Sequence, residues 1–245
     1  MTNECLMGEM FNWLNFQEAF DAVRRNKGAA GIDHKSIAET ILHWQQHGVQ
    51  IEAKLKEGSY VPSPVLGVKI PKPNGGERLL GIPTVQDRVI QQAMQQILTP
   101  IFDGEFSSSS FGYRPNVSAH DAVKQAQAFV KQGKTWVVDI DISAFFDDVN
   151  HDILMRLISQ KVTDPAVLKL VRKYLKAGIM LDGKVEQRRK GVPQGSPLSP
   201  LLANIYLDKL DKELEKRELS FCRYADDGVP RRRIEGRSPS CSYAA

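Results

Sequence analysis

The segment "FCRYADD", residues 221 to 227, ends in two adjacent carboxylates, Asp226 and Asp227. Like charges at close range repel, and each raises the other's pKa unless a cation stands between them. A divalent metal removes that cost. Hard cations such as Mg²⁺ take oxygen ligands, keep several waters and complete their shell with substrate phosphates where carboxylates are few. A third carboxylate from a neighbouring strand would let two metals sit ~3.5–4 Å apart and clamp an in-line phosphoryl displacement. Asp141 is the candidate. In "TWVVDIDIS", a period of two puts Trp136, Val138, Ile140 and Ile142 on one face, read as core, and Val137, Asp139 and Asp141 on the other. Asp139 reads as a polar position on a half-buried strand. Taken alone, an Asp-Asp turn is more commonly a solvated corner than a metal site, so its company has to decide.

The elements that must carry these acids follow from periodicity and punctuation. Ser220 to Tyr224 reads as a short buried strand running into the acid pair. The first sixty residues are helical pieces: "NFQEAFDAVRRN" stops at the breaker "KGAAGID", and "SIAETILHWQQHG" stops at Gly48. "VLGVKIPKPNGGERLLGIPT" reads as a β-ribbon turned by Pro-Asn-Gly-Gly and carrying Lys69, Lys72 and Arg78. "VQDRVIQQAMQQIL" returns to helical spacing. Ser118 with Asp121 predicts an N-cap for a helix through Gln132. One helix is expected from about Ser143, and another from Asp164 with Pro165 at its first position, ending near Gly178. "LDGK" turns a hairpin, and "GVPQGSPLSP" is a loop feeding a long helix.

Composition narrows the class. The chain has 245 residues, 42% apolar and 25% charged, the balance of an ordinary globular protein with room for a core. Three of its four net positive charges fall in Gly228–Ala245, so global charge says little and any nucleic-acid surface is local, as at Arg188-Arg189-Lys190. Three cysteines without CxxC spacing argue against structural zinc and fit a reducing cytoplasm. No basic leader and no apolar run long enough to cross a bilayer is present, so neither secretion nor a membrane partner is expected.

Six blocks in order then resemble the N-terminal part of bacterial group II intron type reverse transcriptases. They are "NKGAAGID" (26–33), "VKIPKPNGGERLLGIPTVQDRVIQQA" (68–93), "SSSSFGYRPNVSAHDAV" (107–123), "VVDIDISAFFDDVNHDIL" (137–154), "GVPQGSPLSPLLANIYLDKLDKELE" (191–215) and "FCRYADD" (221–227). The resemblance implies an α+β fold, the fingers and palm of a right-hand polymerase, with an antiparallel palm sheet packed on helices. It implies a helical extension over 1–60, fingers over 61–132 and palm over 133–227. Asp141, Asp226 and Asp227 would be catalytic acids holding two Mg²⁺ ions. Phe146 would lie under the sugar and reject a ribose 2′-hydroxyl, with a core aromatic as the competing account. Arg78, and either Lys69 or Lys72, would hold the triphosphate, or belong to a solvated ribbon. Gln194 and Gly195 would pack beside the incoming nucleotide, or form a structural loop. Arg114 would touch template or stabilise the fold. Implied partners are an RNA template with a DNA primer, deoxynucleoside triphosphates and the protein's own intron RNA. RNA binding as a splicing cofactor without polymerisation is the alternative.

The resemblance stops after Asp227. Pro230 lacks the N–H that a ladder needs, and Arg231-Arg232-Arg233 would charge both faces of a strand. The expectation is therefore a non-family, disordered tail over 228–245 that leaves the ancestral reading frame near Asp227. "FCRY" would become an edge or unpaired segment, its acids loosely held, the thumb absent and activity impaired.

Overall fold

A computed structural model describes residues 5–71, 75–134 and 136–232, with side chains as far as Asp227. Local chemistry sets the elements. Helix α1 spans Leu6–Met10, α2 Trp13–Asn26 and α3 Ile37–Lys56; α3 starts on a capping box in which Ser36 and Glu39 bond each other's backbone N–H. The ribbon β1 (Val65–Pro71) and β2 (Glu77–Ile82) is antiparallel, and α4 (Val85–Asp103) follows, capped by Thr84. Helix α5 (Ala119–Lys131) has the capping box expected at Ser118 and Asp121. Strands β3 (Trp136–Val137) and β4 (Ile140–Asp141) come next, then α6 (Phe145–Asp148), α7 (His151–Ser159) and α8 (Pro165–Lys176), the last on its expected Asp164 cap. The hairpin β5 (Ile179–Leu181) and β6 (Lys184–Glu186) turns at Asp182 and Gly183, both at positive φ, as a two-residue turn requires. Helix α9 (Ser199–Lys216), β7 (Ser220–Tyr224) and β8 (Asp227–Arg232) complete the order.

The chain divides into two compact units, each discontinuous in sequence: Met1–Phe106 with Ala144–Tyr206, and Ser107–Ser143 with Leu207–Ala245. Both mix helix and sheet, so the α+β class holds. In the first unit the sheet order is β2-β1-β5-β6, with β1 parallel to β5. Its core centres on α4, whose Val89, Ile90, Ala93, Met94 and Leu98 are fully buried. The approach to β1 is fixed by buried Asp87, whose carboxylate accepts from Tyr60 Oη at 2.7 Å, Tyr174 Oη at 3.0 Å, Thr84 Oγ1 at 2.8 Å and Ser63 N at 3.1 Å. Burial pushes that carboxyl above its ordinary pKa even against these bonds.

In the second unit the sheet runs β3-β8-β4, with β7 on the other side of β8. Here the sequence expectation needs correction. The hairpin closes: β7 and β8 pair from Ser220↔Arg231 to Tyr224↔Asp227, so "FCRY" is not an edge without a partner, and residues 228–232 are strand. Pro230 is accommodated by a gap. The pairs Val137↔Arg231 and Ile140↔Gly228 share one register, which sets Val138 and Asp139 opposite Pro230 and Val229, and there β3 and β4 are interrupted. A proline offers no N–H at the place where the neighbouring ladder makes no demand. The rest of the tail, 233–245, lies outside the described residues.

Two further expectations fail. "TWVV" does not bury a face: Trp136, Val137 and Val138 are 64%, 49% and 60% exposed, because helix α5 packs on β7 while β3 and β4 lie beyond β8. The apolar cluster beneath β7 is Phe111, Ala122 and Cys222 with Val117, Ala126 and Phe129. The helix expected from Ser143 is broken into α6 and α7 at Val149 and Asn150, with Asn150 recapping the second piece. Among the described residues no helix is long and apolar enough to cross a membrane.

Candidate active site

The second unit brings the three acids of the sequence reading onto one small sheet. Asp141 at the end of β4 is directly opposite Asp227 at the start of β8, so their side chains share a face. Asp227 is also the last partner of Tyr224, which leaves Ala225 and Asp226 as the two central residues of the turn. Asp227's carboxyl is pushed above the usual carboxylate range, first by desolvation and then by the charges of Asp226, Asp141 and Asp139. Asp139, read from sequence as a bystander, thus acts on the same acid. Its period-two relation to Asp141 was the available signal.

This donor set suits a hard divalent cation. Burial is the larger cause of the raised Asp227 pKa; the charged groups that add to it are carboxylates, and a metal between them would remove their repulsion. Among the described residues no three His, Cys, Asp or Glu side chains close round a metal by themselves. A site of one or two carboxylates that finishes its shell with water and substrate phosphate has that character.

The remaining sequence candidates belong to the first unit. Arg78 Nε donates to Gln194 Oε1 at 2.5 Å, and Gln194 O accepts from Gly81 N at 2.8 Å, which docks the "PQG" turn on β2. Gly195 has φ +105 there, and a Cβ would stand 2.8 Å from Gly81 O, so glycine is needed on both counts. Phe146 is buried, stacked edge-on against Phe145 with centroids 5.3 Å apart, and its carbonyl accepts from Val192 N. Arg78, Gln194, Gly195 and the Phe146 backbone are therefore linked through β2 and the "GVPQG" segment.

Lys69 is not part of that group. The ladder pairs Ile70 with Arg78 and Lys69 with Leu79, so Lys69 and Arg78 project from opposite faces of the ribbon. Lys69 is instead paired with Glu77 at 3.1 Å, which raises its pKa. Lys72 lies outside the described residues. Arg114 binds the carbonyls of Ser107 and Ser110 at 2.7 and 2.9 Å, a loop-holding contact.

Sequence reasoning missed two supports. His151 Nε2 meets Gly191 O at 2.7 Å, and its pKa is lowered by burial, so a neutral ring braces the loop that carries Gln194. Arg223, inside β7, is 2% exposed and bonded to Asp211, which is 0% exposed. A charged residue within a strand read as buried was the clue, since such a group requires a partner.

Residues 70–229 match the family model described as "Reverse transcriptase (RNA-dependent DNA polymerase)". The chain is 39% identical over 217 residues to Protein YkfC of Escherichia coli strain K12, covering 85% of this chain and 56% of that protein. It is 39% identical over 215 residues to the group II intron-encoded protein LtrA of Lactococcus lactis subsp. cremoris, covering 86% and 35%. The chain thus spans between a third and three-fifths of these relatives. Among solved structures, a chain of a partial Cas6-RT-Cas1–Cas2 complex superposes with a TM-score of 0.60 at 28% identity, over 94% of this chain and 39% of that one. The family match takes in Asp141, Asp226 and Asp227 as well as strand β2 and the end of β1, and by it the chain belongs to the reverse transcriptase family.

Proposed function

We propose that this chain carries the nucleotidyl-transfer centre of an RNA-directed DNA polymerase of the group II intron type. The observation that carries the reading is the pairing of Asp141 with Asp227 across β4 and β8, with Asp226 in the adjoining turn. We assign the β3-β8-β4 and β7 sheet to the palm and the β1–β2 ribbon to the fingers of a right-hand polymerase. Substrates are an RNA template with a DNA primer and deoxynucleoside triphosphates. By likeness to LtrA, a group II intron RNA is a further partner.

Asp141 and Asp226 would be the main metal ligands, with Asp227 beside them, and two Mg²⁺ ions are the proposed occupants. Bound there, the metals supply a lowered pKa for the primer 3′-hydroxyl and neutralise charge on the departing pyrophosphate. The protein contributes orientation rather than a covalent nucleophile. Arg78 turns from Gln194 to a triphosphate oxygen, exchanging a neutral acceptor for a charged one. Gln194 and Gly195 offer backbone that a base and sugar can approach closely. Phe146, anchored through its carbonyl, would stand against a ribose 2′-hydroxyl.

The test is primer extension on an RNA template with Mg²⁺. The reading expects DNA synthesis that is abolished in Asp141→Asn. RNA binding that survives the substitution, with no synthesis by either protein, would instead make the chain a splicing cofactor.

A further inference from the structure

The turn that presents Asp226 and Asp227 holds a strained backbone. Ala225, the first of its two central residues, has φ 59, a left-handed conformation that favours glycine and strains a residue with a Cβ. Such a conformation persists only where its surroundings over-determine it. Here they do so through one side chain. Arg223 Nη1 donates to Ala225 O at 2.7 Å, across the turn from its own strand. The same guanidinium places Nε on Asp211 Oδ1 at 2.8 Å and Nη2 on Asp211 Oδ2 at 2.6 Å, and Nη2 also reaches Ser110 Oγ at 2.7 Å.

The backbone of Arg223 is held from the same loop. Its N–H donates to Ser109 O and its carbonyl accepts from Phe111 N, both at 2.8 Å. One residue further on, Gly112 lies so close to the turn that a Cβ would fall 2.0 Å from Ala225 N. The "SSSSFG" loop and the α9 carboxylate therefore converge on one arginine, and that arginine grips the carbonyl that precedes Asp226.

We infer that Arg223 is a positioning residue for the catalytic acids: locked by Asp211, it fixes the Tyr224–Asp227 turn through the Ala225 carbonyl and so sets where Asp226 and Asp227 offer their oxygens. This rests on the acids being metal ligands, but the tether itself does not. A purely structural ion pair predicts loss of stability alone. A positioning pair predicts that metal binding suffers even where the fold survives.

Three variants separate these. Arg223→Lys keeps a charge for Asp211 but has no second nitrogen to reach Ala225 O. Arg223→Met with Asp211→Leu removes the pair without leaving a buried charge, an exchange that folds tolerate. Ala225→Gly, added to Arg223→Lys, relieves the left-handed strain that the tether restrains. Mn²⁺ binding to the purified chain is followed by the EPR signal of the free ion, with thermal unfolding and amide hydrogen exchange of residues 224–228 alongside. The expected result is at least tenfold weaker Mn²⁺ binding and at least tenfold faster exchange in the turn for Arg223→Lys and the double variant. Both keep cooperative unfolding, and glycine at 225 partly restores metal binding. Turn exchange and metal binding unchanged in folded variants would overturn the inference, as would losses that follow unfolding temperature alone. If the parent chain binds no Mn²⁺ that depends on Asp141 or Asp226, the polymerase reading falls, and hydrogen exchange still decides whether Arg223 holds the turn.

Discussion

On the β1–β2 ribbon Lys69 and Arg78 each have a partner within their own unit: Lys69 pairs with Glu77, and Arg78 donates to Gln194. On the β4–β8 ladder Asp141 faces Asp227, and the groups that perturb Asp227 are more carboxylates. One region arrives with these cations already bonded and must release a contact to take a ligand. The other carries repulsion that a ligand would relieve. A region that folds against its own electrostatics is the better marker of function, because stability gives no reason to place four acids around one ladder position.

The largest effect should come from the region where the acids meet. Asp141→Asn and Asp226→Asn should each lower single-turnover primer extension on the order of 10³-fold, a loss of about 4 kcal/mol in transition-state stabilisation. The double variant should be little worse than either, since acids that act as a unit are strongly non-additive. Circular dichroism should be unchanged. A tenth of the activity remaining in either variant would break the contrast at its source.

Second in size is the release contact. Arg78→Ala should raise KM for deoxynucleoside triphosphate roughly 10–100-fold, the worth of about 1.5–3 kcal/mol for a hydrogen bond to a charged group. Gln194→Ala frees Arg78 from its resting partner and should raise KM less. A fall in kcat with KM constant would mean that Arg78 acts only in the transition state.

Third, the desolvation of Asp227 and the repulsion around it should be visible in stability. Asp227's folded-state pKa is raised, so its charged form is disfavoured by folding. Asp227→Asn should therefore stabilise the chain at neutral pH, by no more than about 2 °C for so exposed a group. The gain is absent below about pH 4, where the acid is protonated in both states, grows as pH rises through the raised value, and is complete above it. Millimolar Mg²⁺ should raise the unfolding temperature of the parent chain, as a ligand of the folded state must, and do so less in Asp141→Asn. Equal shifts in both proteins would place the cation elsewhere.

How much of this was legible in sequence depended on whether the signal was local. The Ser118–Asp121 and Asp164–Pro165 caps and the Asp-Gly turn at 182–183 were read correctly, because each is settled by a few adjacent residues. Asp141, Asp226 and Asp227 were named, and the ladder set Asp141 opposite Asp227. Strand β8 was missed because Pro230 looks fatal in isolation; only the register of a strand ninety residues upstream reveals a matching gap. "TWVV" was assigned a buried face from its alternation, but alternation gives the faces and not what covers them. Arg223 and Asp211 were overlooked because their partnership is a tertiary fact.

The separation of Lys69 from Arg78 could have been drawn from parity in the ribbon, and it yields the smallest and sharpest test. Lys69 and Glu77 are each about 60% exposed, so solvent screens their bond and Glu77→Gln should leave stability almost unchanged. That substitution frees the Lys69 ammonium without moving the strand. With Lys69 on the face opposite Arg78, the freed charge gains no access to a triphosphate held by Arg78, and KM for nucleotide should stay within about twofold at moderate salt, which screens exposed charges. A fall in KM of fivefold or more would mean that Lys69 reaches the phosphates. The ribbon would then present both faces to substrate, and the Lys69–Glu77 pair would be a resting contact of the same kind as Arg78–Gln194.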